Sequence, residues 1–186
     1  MRDVLEIDTE RLVLRRPQAA DAARVACFLA DPRVSRMTAS IPHPYPPSAA
    51  EGWLMLQRAR RGLGRDFVFV IDLAREGVIG CIGAHLLDAD AVEIGYWIGA
   101  PYWGEGFATE AVRGFVAEAQ SLGALEAGHF ADNPASGCVL EKAGFVYTGE
   151  VVKRFSMARG EKTDSRRMRF ASRTADRKSG AQACMA

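Results

Sequence analysis

The stretch Val92-Glu93-Ile94-Gly95-Tyr96-Trp97-Ile98-Gly99, continued by Pro101-Tyr102-Trp103-Gly104-Glu105-Gly106-Phe107-Ala108-Thr109-Glu110-Ala111, decides the reading of this chain. It reads as strand, glycine-rich loop, helix. Val92, Ile94, Tyr96 and Ile98 alternate with Glu93, Gly95 and Trp97, so the two sets face opposite sides of a sheet. Gly104 and Gly106 allow a tight turn and a close backbone approach to a ligand. Phe107, Ala108, Ala111, Val112, Phe115, Val116, Ala119 and Leu122 then recur at helical spacing, and Gly123 reads as a left-handed cap. Free N–H groups at a helix start form an anion site, with phosphate the usual guest. A Gly-x-Gly turn also serves as a plain tight connection. No Gly-Lys-Ser/Thr ending follows, which excludes a P-loop. Thr109 stands where a dinucleotide fingerprint needs a third small residue, and the strand lies mid-chain.

The loop resembles the acetyl-CoA-binding motif of the GNAT N-acetyltransferases, Gln/Arg-x-x-Gly-x-Gly/Ala, here Trp103 to Ala108. Asn133-Pro134-Ala135-Ser136, the run Val139 to Phe145 and Thr9-Glu10-Arg11-Leu12-Val13-Leu14-Arg15 resemble the RimJ/RimL-type branch, in order between Thr9 and Phe170. The resemblance implies an α+β (mixed α/β) GNAT fold. Its sheet would be mostly antiparallel, with about six or seven strands, a splayed parallel pair and about four flanking helices. A single domain is expected over residues 1–170.

Composition fits that class. A chain of 186 residues can bury a sizeable core. The formal net charge of +1 gives no bulk basic field, so nucleic acid is not an expected partner. Cys27, Cys81, Cys138 and Cys184 form no Cys-x-x-Cys pair, which argues against zinc and against a disulfide scaffold. No apolar run approaches the ~20 residues of a membrane helix. The acidic start, Met1 to Glu6, does not read as a signal peptide, so the cytoplasm is the expected location. A homodimer through sheet or helix edges is compatible with the pattern.

Working outward, residues 11–15 read as a first strand. A helix carrying Ala22, Val25, Phe28 and Leu29 is expected to stop at Asp31-Pro32. Thr38 to Pro47 is a Pro-rich connection whose His43 and Tyr45 could line an acceptor pocket. Ser48-Ala49-Ala50-Glu51 reads as a capping box. Trp53, Leu56 and Leu63 of the helix after it would face inward, with Trp53 near the acceptor, and Gln57, Arg58, Arg60 and Arg61 outward. Residues 67–72 and 78–86 form a predicted hairpin, Asp88 to Asp90 a turn. The strand Leu125 to Ala131 should lie parallel to Val92–Ile98. Asn133-Pro134 starts a helix closed by Gly144. Residues 145–149 and 165–170 read as closing strands, and 171–186 as a disordered tail.

The resemblance assigns chemistry residue by residue. A pyrophosphate would rest on the amides of Gly104, Glu105, Gly106, Phe107, Ala108 and Thr109. Trp103 replaces the family's Gln or Arg. The backbone of Trp97 and Ile98 would hold the pantetheine arm and polarise the thioester. Glu93 is the expected base, or an acceptor-orienting group, for an amine that must attack uncharged. Many GNAT proteins place a Tyr acid where Leu140 stands. The Asn-x-x-Ser variant instead brings Asn133 to the carrier and Ser136 to the sulfur, with Tyr147 as a second candidate donor. The expected reaction is direct acetyl transfer from acetyl-CoA to a primary amine, a protein N-terminus or a small molecule, without a metal. The alternative is a non-catalytic acyl-CoA-binding domain.

Overall fold

The computed structural model describes residues 1, 4–87 and 91–171. Strands β1 (Glu6–Asp8), β2 (Leu12–Arg15), β3 (Asp66–Leu73), β4 (Gly77–Leu86), β5 (Ala91–Ile98), β6 (Ala124–Phe130), β7 (Phe145–Ser156) and β8 (Glu161–Phe170) join one sheet. Its order is β1-β2-β3-β4-β5-β6-β8-β7. Helices are α1 (Ala22–Leu29), α2 (Pro32–Ser35), α3 (Pro47–Gly62), α4 (Phe107–Ala119) and α5 (Pro134–Lys142). β5 and β6 run parallel, and every other neighbouring pair is antiparallel.

The near-continuous apolar run of β3 explains its central place. Phe67, Phe69 and Ile71 face α4, while Val70 joins Val25, Leu29 and Cys81 beneath α1 and α3. A strand buried on both faces needs no polar alternation. Phe69 and Phe115 meet edge to face at 5.8 Å. Fully burying side chains of this size contributes about 1.5–3 kcal/mol each before conformational entropy is counted.

Several local expectations are corrected. The sheet has an eighth strand, β1, too short at Glu6–Asp8 for alternation to register. Asp31-Pro32 does not merely stop α1. Asp31 caps α2, accepting from the Arg33 amide at 2.8 Å, with Pro32 in the first turn. The Ser48–Glu51 capping box does not form, because α3 starts earlier, on Pro47, whose fixed φ suits a first helical position. Leu56 and Leu63 are exposed, since the inward stripe of α3 instead runs through Ala50, Trp53, Gln57 and Arg61. Gly123 is not left-handed helical. The chain tightens into a 3-10 turn at Gln120–Leu122, and Gly123 follows at φ 144°, ψ −161°. The predicted turn at Asp88–Asp90 and the tail beyond Ala171 lie outside the described residues. Among the described residues, no helix is long and apolar enough to cross a membrane.

Candidate active site

Pairing between β5 and β6 covers only Ala91–Ile94 against Ala124–Ala127. Beyond that point the strands part, with β5 held by β4 and β6 by β8. Peptide direction within the fork follows from two bonds. Gly99 N–H donates to the Ile79 carbonyl at 2.8 Å, and the Ala91 carbonyl accepts from Leu87 at 2.8 Å. Peptide groups alternate along a strand, so odd-numbered residues of β5 turn theirs to β4 and even-numbered ones to β6. Tyr96 and Ile98 therefore face the fork. Trp97, expected to offer its backbone there, has it turned toward β4, while its ring lies 6.4 Å from that of Phe28.

The glycine-rich loop closes the wide end. Gly104 and Gly106 have φ 84° and 82°, a region open to glycine at no steric cost. Gly106 is the N-cap of α4 and makes no side-chain cap bond. The first amides of a helix have no intrahelical partner, so Gly106 to Thr109 present N–H groups to a ligand. The Trp103 indole donates to the Ile98 carbonyl at 2.7 Å and pins the loop to the end of β5.

A residue missed by the sequence reading braces this loop. Arg11 donates through Nε to Glu110 at 2.7 Å and through Nη1 to the Glu105 carbonyl at 3.1 Å, and stacks 4.4 Å over the Phe107 ring. Glu110 also accepts from Thr9 Oγ1 and the Arg11 amide, at 2.7 Å each. Burial pushes the Glu110 carboxyl up, but these bonds outweigh it and hold it below the ordinary range. The Thr9–Arg11 motif is thus a clamp on the first turn of α4.

α5 closes the other side of the fork. Asn133 caps it, accepting from the Ser136 amide at 3.3 Å. The Tyr96 hydroxyl lies 2.8 Å from Ser136 Oγ and 3.1 Å from the Ser136 carbonyl, two acceptors for its single proton. Burial raises the Tyr96 phenol, so it stays protonated as a donor. Tyr96 was read only as an apolar-face residue, because alternation shows which face a side chain takes and not what its tip meets. Tyr147 lies behind α5, 3.0 Å from His129 Nε2. His129 Nδ1 lies 2.8 Å from the Phe130 carbonyl. A carbonyl only accepts, so Nδ1 holds the ring proton and Tyr147 donates to Nε2. The expected second donor therefore has its proton engaged. Gly137 fits between them, since a Cβ there would stand 2.4 Å from the Tyr147 oxygen.

On the opposite face of the sheet, Glu93 is clamped. Arg154 donates to both its oxygens, through Nη1 to Oε1 and through Nη2 to Oε2 at 2.8 Å. Arg167 Nη1 reaches Oε1 at 2.7 Å, and its Nη2 reaches Glu126 at 2.8 Å. Burial alone would raise the Glu93 carboxyl, but the two guanidiniums outweigh it and leave it at about 2. Both arginines lie far along the chain, on β7 and β8, and spacing gives no signal of the pairing.

The remaining acceptor candidates separate. His43 is exposed on the loop before α3. Tyr45 is largely buried. It is 8% exposed, within the apolar cluster under α1 and α3, against which Trp53 is half-buried. The turn between β7 and β8 is tied to the segment before that loop. Met157 N–H donates to the Ala39 carbonyl at 2.9 Å, and Ser156 Oγ to that of Thr38 at 3.1 Å.

An acetyltransferase (GNAT) domain family matches residues 11–146. The chain belongs to this family. Among relatives of this GNAT protein, the uncharacterized N-acetyltransferase p20 of Bacillus licheniformis is 32% identical over 108 residues, 56% of this chain and 60% of that protein. Mycobacterium smegmatis RimJ in complex with CoA-disulfide superposes with a TM-score of 0.79 at 22% identity, over 91% of this chain and 88% of its own. The microcin C7 self-immunity acetyltransferase MccE, in complex with acetyl-CoA and AMP, gives 0.75 at 18%, over 86% and 92%. At these identities the likeness is one of fold.

Proposed function

We propose that this GNAT protein transfers the acetyl group of acetyl-CoA to a primary amine, by direct attack in a ternary complex. The observation that carries the reading is the open β5–β6 fork ending at the uncapped start of α4. The CoA and acetyl-CoA complexes of RimJ and MccE, which share the fold, support it. A pyrophosphate would lie on the amides of Gly104 to Thr109, with Arg11 beside Gly106. The pantetheine arm would pair with Tyr96 and Ile98, and Asn133 would flank it. The amine attacks the thioester carbonyl, the tetrahedral intermediate collapses, and the C–S bond breaks. Ser136 passes its proton to the departing thiolate and is reprotonated by the water that takes the amine's proton, while Tyr96 donates a hydrogen bond to Ser136 Oγ. Acceptors are a protein N-terminal α-amine or a small amine, with His43 and Trp53 on the approach.

We assign Glu93 to orienting the acceptor side through Arg154 and Arg167, and the amine's proton to water. A carboxyl at about 2 takes a proton poorly from an ammonium group, whereas α-amines at ~7.7–8.0 already supply some free base near neutrality. The pH profile of kcat/KM should then rise through the acceptor's own pKa and move when the acceptor is changed. A limb fixed at one pH for all acceptors would restore an enzymic base.

The clamp also carries stability. The folded pKa of Glu93 is depressed to about 2 from an ordinary 4.5. Its contribution is therefore present above pH ~4.5 and lost as pH falls toward ~2, with a full size of about 3 kcal/mol. Glu93→Gln should cost about 3 kcal/mol at pH 7, because it leaves Arg154 without its carboxylate and Arg167 with Glu126 alone. It should also flatten the acid limb of a denaturation series. An unchanged midpoint would mean that the clamp contributes little.

Transfer itself is tested by incubating the protein with acetyl-CoA and a panel of N-terminal peptides and small amines. Free thiol should appear together with a product heavier by one acetyl group. CoA binding without thiol release across the panel would support the non-catalytic alternative instead.

A further inference from the structure

Three glycines stand in a row across the sheet, on the face that carries Glu93. Gly83 of β4 is the register partner of Gly95 of β5. Gly95 and Gly128 each follow the last paired residue of their strands, Ile94 of β5 and Ala127 of β6. Neighbouring side chains explain two of the three. A Cβ on Gly83 would stand 2.9 Å from Val68 Cγ2, and one on Gly128 would stand 3.2 Å from both Arg167 Nη1 and Ser165 Oγ.

Gly95 has no such reason. No atom lies within 4 Å of the place its Cβ would take, and its φ is outside the left-handed region. It is exposed although β5 is an interior strand. The other strand glycines with open space around them among the described residues, Gly77 and Gly149, have φ 80° and 85°. A glycine inside a strand lowers stability, and where sterics do not require one it marks close approach by another molecule.

The position of Gly95 identifies that molecule. It is the first β5 residue beyond the paired stretch, at the apex of the fork. α4 covers the opposite face at Ile94 and Ile98, and α5 reaches it at Tyr96. A thioester in the fork is therefore approached over Gly95, between Trp97 and the Glu93 clamp, which stand two residues away on either side. We propose that Gly95 determines acceptor specificity: the carbon bearing the amine, with a substituent on it, rests on its bare backbone. This deepens the acetyl transfer proposed above and rests on it. A side chain at position 95 would lift that carbon from the carbonyl, and a displacement of about 1 Å costs about 100-fold in rate. The carrier's contacts, the amides of Gly104 to Thr109 and the backbone of Tyr96 and Ile98, are left in place.

The test uses Gly95→Ala and Gly95→Val in the full chain, with acceptors in pairs that differ by one methyl on the amine-bearing carbon. The pairs are peptides starting with Gly and Ala, glycinamide and alaninamide, and benzylamine and 1-phenylethylamine. Gly95→Ala should raise Tm by about 1–4 °C, since alanine holds a strand better than glycine. Both variants should bind CoA within about threefold of wild type by calorimetric titration. Gly95→Val should lower kcat/KM by at least about 100-fold for every acceptor. Gly95→Ala should lower it about tenfold more for the methyl-bearing member of each pair than for the other, the usual effect of one carbon in a fitted site. A glycine that served the strand alone would affect both members alike. Should Gly95→Val not fold, Gly95→Ala decides through the pairs. A full rate in Gly95→Val, equal losses within every pair in Gly95→Ala, a matching loss of CoA affinity, or a wild type that takes only the unbranched members would overturn the inference and leave the transfer standing. No thiol release by the wild type with any pair would remove the transfer itself, and the inference with it.

Discussion

Gly106→Val is expected to weaken CoA binding by about 100-fold, close to 2.7 kcal/mol, while the protein remains folded. Gly106 sits at φ 82°, where a β-branched residue is strained by about 1–3 kcal/mol. The protein side offers room, since an added Cβ would meet only Arg11 Nη2, at 3.6 Å. The rest of a valine side chain crowds the approach to the amides of Phe107 to Thr109, which a pyrophosphate would use. Strain and obstruction separate with Gly160→Val as a control. Gly160, beyond the end of β7, has φ 70° and open space around it. That variant should lose comparable stability and keep its CoA affinity. Calorimetric titration of both, alongside their thermal midpoints, checks the pair. Wild-type affinity in a folded Gly106→Val protein would remove the loop from the binding site.

The legibility of this chain divides along physical lines. Backbone-determined features were readable. The alternation of Val92 to Ile98, the helix starting at Phe107, the Asn133-Pro134 start of α5 and the parallel β5–β6 pair all lie where the pattern places them. Each depends on periodicity or on a conformation that only a few residue types adopt. Features made by side chains from distant segments were not readable. Glu93 meets Arg154 and Arg167, 61 and 74 residues away. Glu110 meets Arg11, 99 residues away. A carboxylate on a strand looks the same in sequence whether it faces solvent, a substrate or two guanidiniums, yet only the last leaves it at about 2. The same holds for α3. Its leucines suggested an inward face through Leu56 and Leu63, but Ala50 and Trp53 set the rotation and carried Gln57 and Arg61 inward with them.

Tyr96→Phe is expected to lower kcat by about 10–100-fold, below the ~10²–10⁴-fold of a group that transfers the proton itself because Tyr96 acts through Ser136, and to leave the KM for acetyl-CoA within about threefold. The phenol has two contacts with Ser136, 2.8 Å to Oγ and 3.1 Å to the carbonyl. Burial keeps it protonated, so it gives a hydrogen bond and does not accept a proton. With Tyr96 donating to Oγ, the serine's own proton is free to meet the sulfur as the C–S bond lengthens. Without the phenol, Ser136 can spend that proton on a neighbouring acceptor, and the thiolate departs unassisted. Ser136→Ala should cause a similar loss by removing the donor itself. Two residues acting as one unit give non-additive losses. The double variant Tyr96→Phe/Ser136→Ala should therefore be no slower than the slower single variant. Multiplicative losses would assign the hydroxyls to separate tasks. A full rate in Ser136→Ala would leave water as the acid and reduce the Tyr96–Ser136 bridge to a brace between β5 and α5.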